Sequence, residues 1–187
     1  ITTGRPFAGV ALRVVGEQGN DVKTNCSEVG EIVVRGDTVT PGYWNLPEET
    51  ARRIKDGWLW TGDLATVNSE GYVTIVDRRS DMMITGGENV YSTEVENVIY
   101  THPDVLEAAV VGLPDKVWGE RITAVVALKP GCKATEGELI GHCKSNLAHF
   151  KAPKHVIFVE EIPKLGTGKI SKKLLRERFK DGADGVS

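Results

Sequence analysis

Apolar and polar residues alternate along the first part of the chain with the two-residue period of a β-strand. Segments 10–15, 30–36 and 71–76 show this alternation, and glycine-rich polar stretches separate them. Residues 47–54 fit one short helix instead, because proline opens the segment and acidic residues occupy its first turn. The pattern predicts a small β-rich body with barrel-like or sandwich-like strands and a single helix.

Helical and strand periods follow one another in the second part of the chain. Thr93 and Glu96 have the spacing of a capping box, so a helix is predicted to begin near Thr93. Strands are predicted at 106–112, 121–128 and 155–159, and further helices at 135–147 and from Ser171. This order predicts a three-stranded sheet flanked by helices, so the fold class of the whole chain is α/β (α+β).

A charged run at 77–81 separates the two parts. Because burying such a run costs much free energy, it predicts a joint between two separately cored domains, 1–77 and 78–187. A short strand is predicted at 82–85, and the glycine pair Gly86 and Gly87 then opens a loop that continues through Glu88 and Asn89. Taken alone, this pair is more typical of a tight turn than of a ligand site.

Composition narrows the class of protein. The 187 residues carry a net charge of −3 and are 40% hydrophobic, and no apolar run approaches the length of a bilayer span. We therefore expect a soluble, cytoplasmic protein without nucleic acid as its main partner. The three cysteines lack a CxxC pair and the histidines lack metal-ligand spacing, so we expect reduced thiols and no metal site. Because the chain opens at Ile1 without methionine or an element start, we expect a fragment of a longer protein.

Asp63 is the first candidate for chemistry. It follows a threonine and a glycine at the end of a predicted strand that contains two tryptophans. In isolation, such an aspartate is more typical of a turn residue that accepts hydrogen bonds from its own backbone. The alternative is a binding role, because one carboxylate can accept hydrogen bonds from both hydroxyls of a ribose.

Lys169 is the second candidate. Gly166, Thr167 and Gly168 precede it, and a loop of this composition is mobile enough to bring an ammonium group to a ligand. A basic surface loop is the simpler interpretation. The segment is not a phosphate-binding P-loop, because no strand precedes it in the required position and no serine or threonine follows the lysine directly.

Taken together, four motifs in the same order resemble the adenylate-forming superfamily, which includes acyl-CoA synthetases, nonribosomal adenylation domains and luciferases. The motifs lie at 30–44, at 60–63 (Trp-Thr-Gly-Asp), at 77–96, and at 163–169 (Pro-Lys-x-x-x-Gly-Lys). Leu165 stands where many members carry threonine, a departure that leaves the chemistry unaffected. Segments 86–91 and 118–120 are more similar to fatty or aryl acyl-CoA synthetases than to domains that load a carrier protein.

The resemblance implies a two-step ligase. A carboxylic acid attacks ATP to give an acyl-adenylate and pyrophosphate, and CoA then displaces AMP. It also implies that residues 1–77 end a large N-terminal domain and that 78–187 form a mobile C-terminal lid. Asp63 and Arg78 are implied to bind ATP, Lys169 to be catalytic in the first step, and Ser80 to be the hinge.

The implied CoA site and its context complete the expectation. The residues implied to contact CoA are Gly86, Gly87, Glu88, Phe150, Lys151 and Lys154. The ligands of the Mg²⁺ that accompanies ATP are implied to lie upstream, in a missing N-terminal part, so the fragment alone is expected to be inactive. Two alternatives stay open at this point: a domain that loads a carrier protein, and a non-catalytic module that binds CoA or a nucleotide.

Overall fold

A computed structural model describes residues 2–180. The chain divides into two compact units, Ile1–Ser80 and Asp81–Ser187. Both are mixed structures in which sheets carry most of the core, which confirms the α/β (α+β) fold class. None of the helices in the described part is long and apolar enough to cross a membrane.

The first unit is built on one antiparallel sheet. Its elements are β1 (Val10–Val15), β2 (Gly30–Gly36), α1 (Pro47–Arg53), β3 (Ile54–Lys55), β4 (Trp58–Val67) and β5 (Val73–Arg78). The strand order is β1-β2-β4-β3, and β5 also pairs with β4. Its core is a cluster of small and branched side chains: Val14, Val22, Ile32, Ala65 and Val73. The long strand β4 is therefore the common partner of three other strands.

The predicted strands of this unit are confirmed, with one difference at its end. β5 runs through Arg78, because its residues 77 and 78 pair with Leu64 and Asp63 of β4. The first part of the charged run is therefore strand and not joint. The compact unit ends at Ser80, three residues after the predicted boundary, while the assignment of domains 1–77 and 78–187 stays a prediction.

In its described residues, 81–180, the second unit contains a five-stranded sheet and three helices. The elements are β6 (Met83–Thr85), β7 (Glu88–Val90), α2 (Ser92–Tyr100), β8 (Val105–Asp115), β9 (Gly119–Leu128), α3 (Glu136–Asn146), β10 (His155–Phe158) and α4 (Lys172–Phe179). β9 pairs antiparallel with β8 and parallel with β10. The hairpin of β6 and β7 joins β9 through the Thr85–Gly119 pair.

Both faces of this sheet are buried, and for this reason the strand sequences are almost continuously apolar. Ala108 and Val110 belong to the cluster that packs with α2 and α3, whereas Ala109 and Val111 belong to the cluster that packs with α4. All four are at most 2% exposed. Because successive side chains of β8 point to opposite faces of the sheet, neighbouring residues of this strand belong to two different cores.

Three predictions for this unit need correction. The sheet has five strands and not three, because Gly86 and Gly87 take φ values of 59° and 85° and close a hairpin. Glu88 accordingly begins strand β7 instead of lying in a loop. The helix α2 begins at Ser92 with Tyr91 as its N-cap, so Thr93 lies in the first turn and does not open the predicted capping box. The Glu96 carboxylate accepts a hydrogen bond from the Val110 N–H at 2.8 Å.

Candidate active site

The Asp63 carboxylate is held near the middle of β4. Thr61 Oγ1 donates to the Ile32 carbonyl at 2.9 Å and accepts from the Asp63 N–H at 3.1 Å. Gly62 lies between them with φ of 81°, a conformation that favours glycine. The Trp-Thr-Gly-Asp segment is therefore a local distortion of a strand, fixed by the neighbouring strand β2, and not a free turn.

Arg78 lies opposite Asp63 on the adjacent strand β5. The two residues are register partners, and Arg78 Nε lies 3.1 Å from Asp63 Oδ1. The aspartate side chain is 26% exposed and the arginine 67%. The structure thus brings together the two residues predicted to bind ATP. The arginine orients the carboxylate while both remain accessible to a ligand.

Glu31 on the neighbouring strand β2 stabilises this arrangement, although it was not predicted from the sequence. Its Oε1 accepts from the Gly62 N–H at 3.0 Å, and its Oε2 lies 3.2 Å from Arg79 Nη1. The residue is only 5% exposed. The sequence does contain an indication of this role: Glu31 stands between Gly30 and Ile32 in a largely apolar strand, and a buried carboxylate there requires hydrogen-bond or ion-pair partners.

Lys169 lies at the end of a tight turn between β10 and α4. Lys164 and Ile170 form an isolated bridge, the Leu165 N–H donates to the Lys169 carbonyl at 2.7 Å, and the Gly168 N–H donates to the Leu165 carbonyl at 2.8 Å. Gly168 has φ of 80°, which explains the glycine at this position. The Lys169 side chain is exposed and, within residues 2–180, its ammonium has no ion-pair partner.

The lysines on either side of this turn are paired. Lys164 Nζ lies 2.6 Å from Glu107 Oε1, and Lys172 Nζ lies 2.7 Å from Glu96 Oε1. The hydrogen bond to Glu107 raises the pKa of Lys164. The two paired lysines fix the base of the turn, so the geometry distinguishes Lys169 from its neighbours as the ammonium available to a ligand.

The glycine hairpin presents an open surface. A Cβ built on Gly86 would lie 3.2 Å from Cε3 of Trp118, whereas a Cβ on Gly87 would meet no atom within 4 Å. Trp118 is held in place by Asp115, whose Oδ1 accepts from its N–H at 3.0 Å, and this bond lowers the pKa of Asp115. A side chain at position 86 would thus crowd the indole, whereas nothing in the described residues fills the space beside Gly87.

The remaining residues predicted to contact CoA fall into two groups. Lys154 Nζ lies 5.2 Å from the centre of the Trp118 ring, and Trp118 in turn lies beside Gly86 of the glycine hairpin. Lys151 instead forms a two-pronged ion pair with Glu94, at 2.7 and 2.8 Å, and lies 5.9 Å from the Phe150 ring. Trp118 was not among the residues predicted to contact CoA. Its side chain is 45% exposed in a polar turn, a property that is visible only in the structure.

The thiols and the side chains that commonly bind metals are dispersed over residues 2–180. No group of three or more His, Cys, Asp or Glu side chains in residues 2–180 could hold a metal ion. Cys26, Cys132 and Cys143 are free thiols. Burial raises the pKa of Cys143 to about 11, which makes it a poor nucleophile at neutral pH.

Comparison with known proteins identifies the family. Residues 94–169 match the AMP-binding enzyme C-terminal domain. The chain is 48% identical over 189 residues to the medium/long-chain fatty acid–CoA ligase FadD8 of Mycobacterium tuberculosis, an alignment that covers 96% of this chain and 32% of the ligase. The chain belongs to the adenylate-forming superfamily.

Other members of the adenylate-forming superfamily show the same similarity. A feruloyl-CoA synthase from Amycolatopsis sp is 44% identical, with 95% of this chain and 36% of that protein covered. The crystal structure of ATP-bound MatB from Rhodopseudomonas palustris superposes with a TM-score of 0.90 at 40% identity, with 96% of this chain and 36% of that chain covered. The chain spans about a third of the length of the curated relatives it matches. The roles of individual residues stay predictions.

Proposed function

We propose that this chain is the C-terminal part of an ATP-dependent acyl-CoA synthetase. The observation that carries the proposal is the Lys169 ammonium, which is exposed and has no ion-pair partner within residues 2–180, on a turn whose base is fixed by two paired lysines. The similarity to named acyl-CoA ligases over nearly the whole chain supports the same reaction class. The whole enzyme would comprise this chain and a longer N-terminal part.

In the first step, a carboxylate oxygen of the acid attacks the α-phosphorus of ATP. The new P–O bond forms as the bond between the α-phosphorus and the bridging oxygen breaks, and pyrophosphate leaves. Negative charge builds up between the carboxylate and the α-phosphate, and the compact ammonium of Lys169 stabilises it. Asp63 accepts hydrogen bonds from the ribose hydroxyls, and Arg78 contacts the ribose or the phosphate. Mg²⁺ would enter as part of the MgATP substrate, with ligands outside this chain.

In the second step, the thiolate of CoA attacks the acyl carbon of the adenylate. A C–S bond forms, the C–O bond to the phosphate breaks, and AMP leaves. Gly87 leaves room for the pantetheine arm, because no described side chain occupies the space beside it. Trp118 and Lys154 offer a stacking surface and a positive charge for the CoA nucleotide. Phe150, Lys151 and Glu88 are assigned to the same ligand by family resemblance.

The two steps require different arrangements of the domains 1–77 and 78–187, and we place the hinge at Ser80. Lys169 serves the first step only, because the turn that carries it would leave the site when the lid rotates. The names of the relatives include fatty-acid and feruloyl substrates, so we infer an organic acid with a sizeable apolar group. A cytoplasmic location stays a prediction that is compatible with three free thiols.

The complete enzyme that contains this chain provides the test. Pyrophosphate release would be measured with ATP and a panel of fatty and aryl acids, and product formation would then be followed with CoA or with a phosphopantetheinylated carrier protein. We expect acid-dependent pyrophosphate release and thioester formation with CoA. If the acyl group were transferred only to the carrier protein, the enzyme would be one that loads a carrier protein and not an acyl-CoA synthetase. Nucleotide or CoA binding without any pyrophosphate release would leave only a binding module.

A further inference from the structure

Arg79, the residue before the proposed hinge, is anchored to the first unit in two ways. Its backbone N–H donates to the Gly62 carbonyl at 2.8 Å, which continues the ladder between β4 and β5. Its guanidinium contacts the buried carboxylate of Glu31 at 3.2 Å. The same carboxylate accepts from the Gly62 N–H, so Glu31 ties Arg79 to the segment that carries Asp63.

Asp81, the residue after the proposed hinge, is anchored to the second unit. Its Oδ1 lies 2.7 Å from Nη2 of Arg176, and the two side chains are only 19% and 30% exposed. Arg176 lies on α4, which Leu175 and Phe179 hold in the core of this unit at 0% and 2% exposure. A short ion pair between partly buried groups is stronger than one at the surface. Asp81 therefore moves with α4.

The helix α4 also follows directly from the turn that carries Lys169. Its N-cap is Ser171, and Lys172 in its first turn bonds Ser92 Oγ at 2.6 Å and Glu96 Oε1 at 2.7 Å. A displacement of Asp81 is thus passed through Arg176 to the helix that begins three residues after Lys169. On the other side of Ser80, a displacement of Arg79 is passed to the segment of Asp63.

We propose that Glu31 and Arg176 are positioning residues that confine the rotation between the domains to Ser80, an inference that rests on the proposed function. A rotation spread over several residues has many end positions, whereas a rotation at one residue between two fixed neighbours has few. The catalytic geometry tolerates little error, since a misplacement of about 1 Å can cost about 100-fold in rate. Ion pairs on both sides of Ser80 limit this error.

The central experiment is a charge exchange in the complete enzyme. Asp81→Arg and Arg176→Asp each place two like charges together and release Asp81 from α4. We expect each single variant to lower kcat for adenylate formation about 10- to 100-fold, with KM for ATP changed less than about threefold because the Asp63 site is intact. The double variant restores the pair in reverse and should recover most of kcat.

Two further variants complete the design. Arg79→Met tests the first anchor at a side chain that is 53% exposed, so the variant is expected to fold. It should also lower kcat more than it raises KM for ATP. The matched control is Lys173→Glu with Glu177→Lys, an exposed pair at 3.9 Å on the same helix that we place in no machinery. It should leave kcat within about twofold of the wild type. Thermal melting checks that each variant is folded.

The outcomes separate this inference from the proposed function. If Lys169→Ala left adenylate formation unchanged, the proposed function would fall. If Lys169→Ala abolished it while the charge exchange and Arg79→Met variants equalled the wild type, only the role of Glu31 and Arg176 would be wrong. A double variant that stayed as slow as the single variants, while still folded, would also overturn that role, because restoring the pair should restore the rate.

Discussion

The two charged groups that we assign to the same nucleotide are held in opposite ways. Asp63 lies on the central strand of a sheet, where Thr61 Oγ1 accepts from its backbone N–H and Arg78 Nε lies 3.1 Å from its Oδ1. The Lys169 ammonium lies on a glycine-containing turn and has no ion-pair partner within the described residues. A group needed throughout the reaction benefits from a fixed position, whereas a group needed for one step must be able to leave.

The difference has an energetic reason. Fixing a lysine side chain costs up to about 2 kcal/mol of rotamer entropy, and an ion pair in the free protein would have to be broken before a ligand could use the ammonium. Lys164 and Lys172 show what a structural lysine looks like in the same region, since each contacts a glutamate within 2.7 Å. Ion pairing, more than exposure, therefore distinguishes the structural lysines of this region from the catalytic candidate Lys169.

The largest effect is expected for Lys169→Ala in the complete enzyme. Loss of one preorganised donor to a developing negative charge typically costs about 100- to 1,000-fold in rate, and a full charge can cost more. Adenylate formation should therefore be nearly abolished, while a supplied acyl-adenylate is still converted to acyl-CoA. The two half-reactions are measured by pyrophosphate exchange and by thioester formation. Equal loss of both in a folded variant would contradict the idea that this lysine serves one step.

Gly87→Leu extends the comparison to the second step. The added side chain meets no described atom of this chain, so its effect should fall on the pantetheine arm: thioester formation decreases by about 100-fold while adenylate formation is spared. The control is Gly131→Leu, because Gly131 has a similar φ of 79° and equally open surroundings. If both variants lost thioester formation to the same degree, backbone strain would be the cause and Gly87 would lose its assignment.

Asp63→Ala tests the role of the carboxylate that is held in a fixed position on the sheet. Removal of a charged acceptor for the ribose hydroxyls should weaken ATP binding by about 1.5–3 kcal/mol. Titration calorimetry with ATP would measure this change in the complete enzyme, and 2′,3′-dideoxy-ATP should bind the variant and the wild type alike. An unchanged ATP affinity would return Asp63 to the role of a structural residue that only pairs with Arg78.

Lys164→Met should have the smallest effect, on stability and not on either half-reaction. The pair with Glu107 raises the pKa of Lys164, so its contribution to folding is fully present at neutral pH. That contribution is lost only as the pH rises through the raised pKa, above the ordinary value of 10.5. Melting temperatures at neutral pH should fall slightly, and rates should stay near those of the wild type. A large loss of adenylate formation would weaken the distinction between paired and unpaired lysines.

Several elements of the fold could be predicted from the sequence because their causes are local. The helix predicted at 135–147 opens with a capping box of Thr135 and Glu138, in which the Thr135 N–H lies 2.8 Å from the Glu138 carboxylate. The side chain of Ser171 caps α4. These bonds join residues three apart, so a short stretch of sequence contains both partners.

The capping box predicted at Thr93 and Glu96 fails for the opposite reason. Its spacing is equally suitable, but the Glu96 carboxylate finds the Val110 N–H, 14 residues away, and the Lys172 ammonium on a different helix. Both partners are brought close only by the tertiary fold, because α2 and α4 each pack against β8. A local pattern states what a residue can do, and tertiary competition decides which of these it does.

The sequence by itself determined the β-rich first part, most helices and strands of the second, and the motif positions of Asp63, Arg78 and Lys169, because periodicity and motif spacing are properties of neighbouring residues. Only the tertiary structure decided that Glu31 supports Gly62 from 31 positions away, that the glycine hairpin joins the main sheet, and that Trp118 lies beside Gly86. Such contacts depend on which distant groups meet when the cores form, and buried polar groups then take the partners that the packed chain offers them.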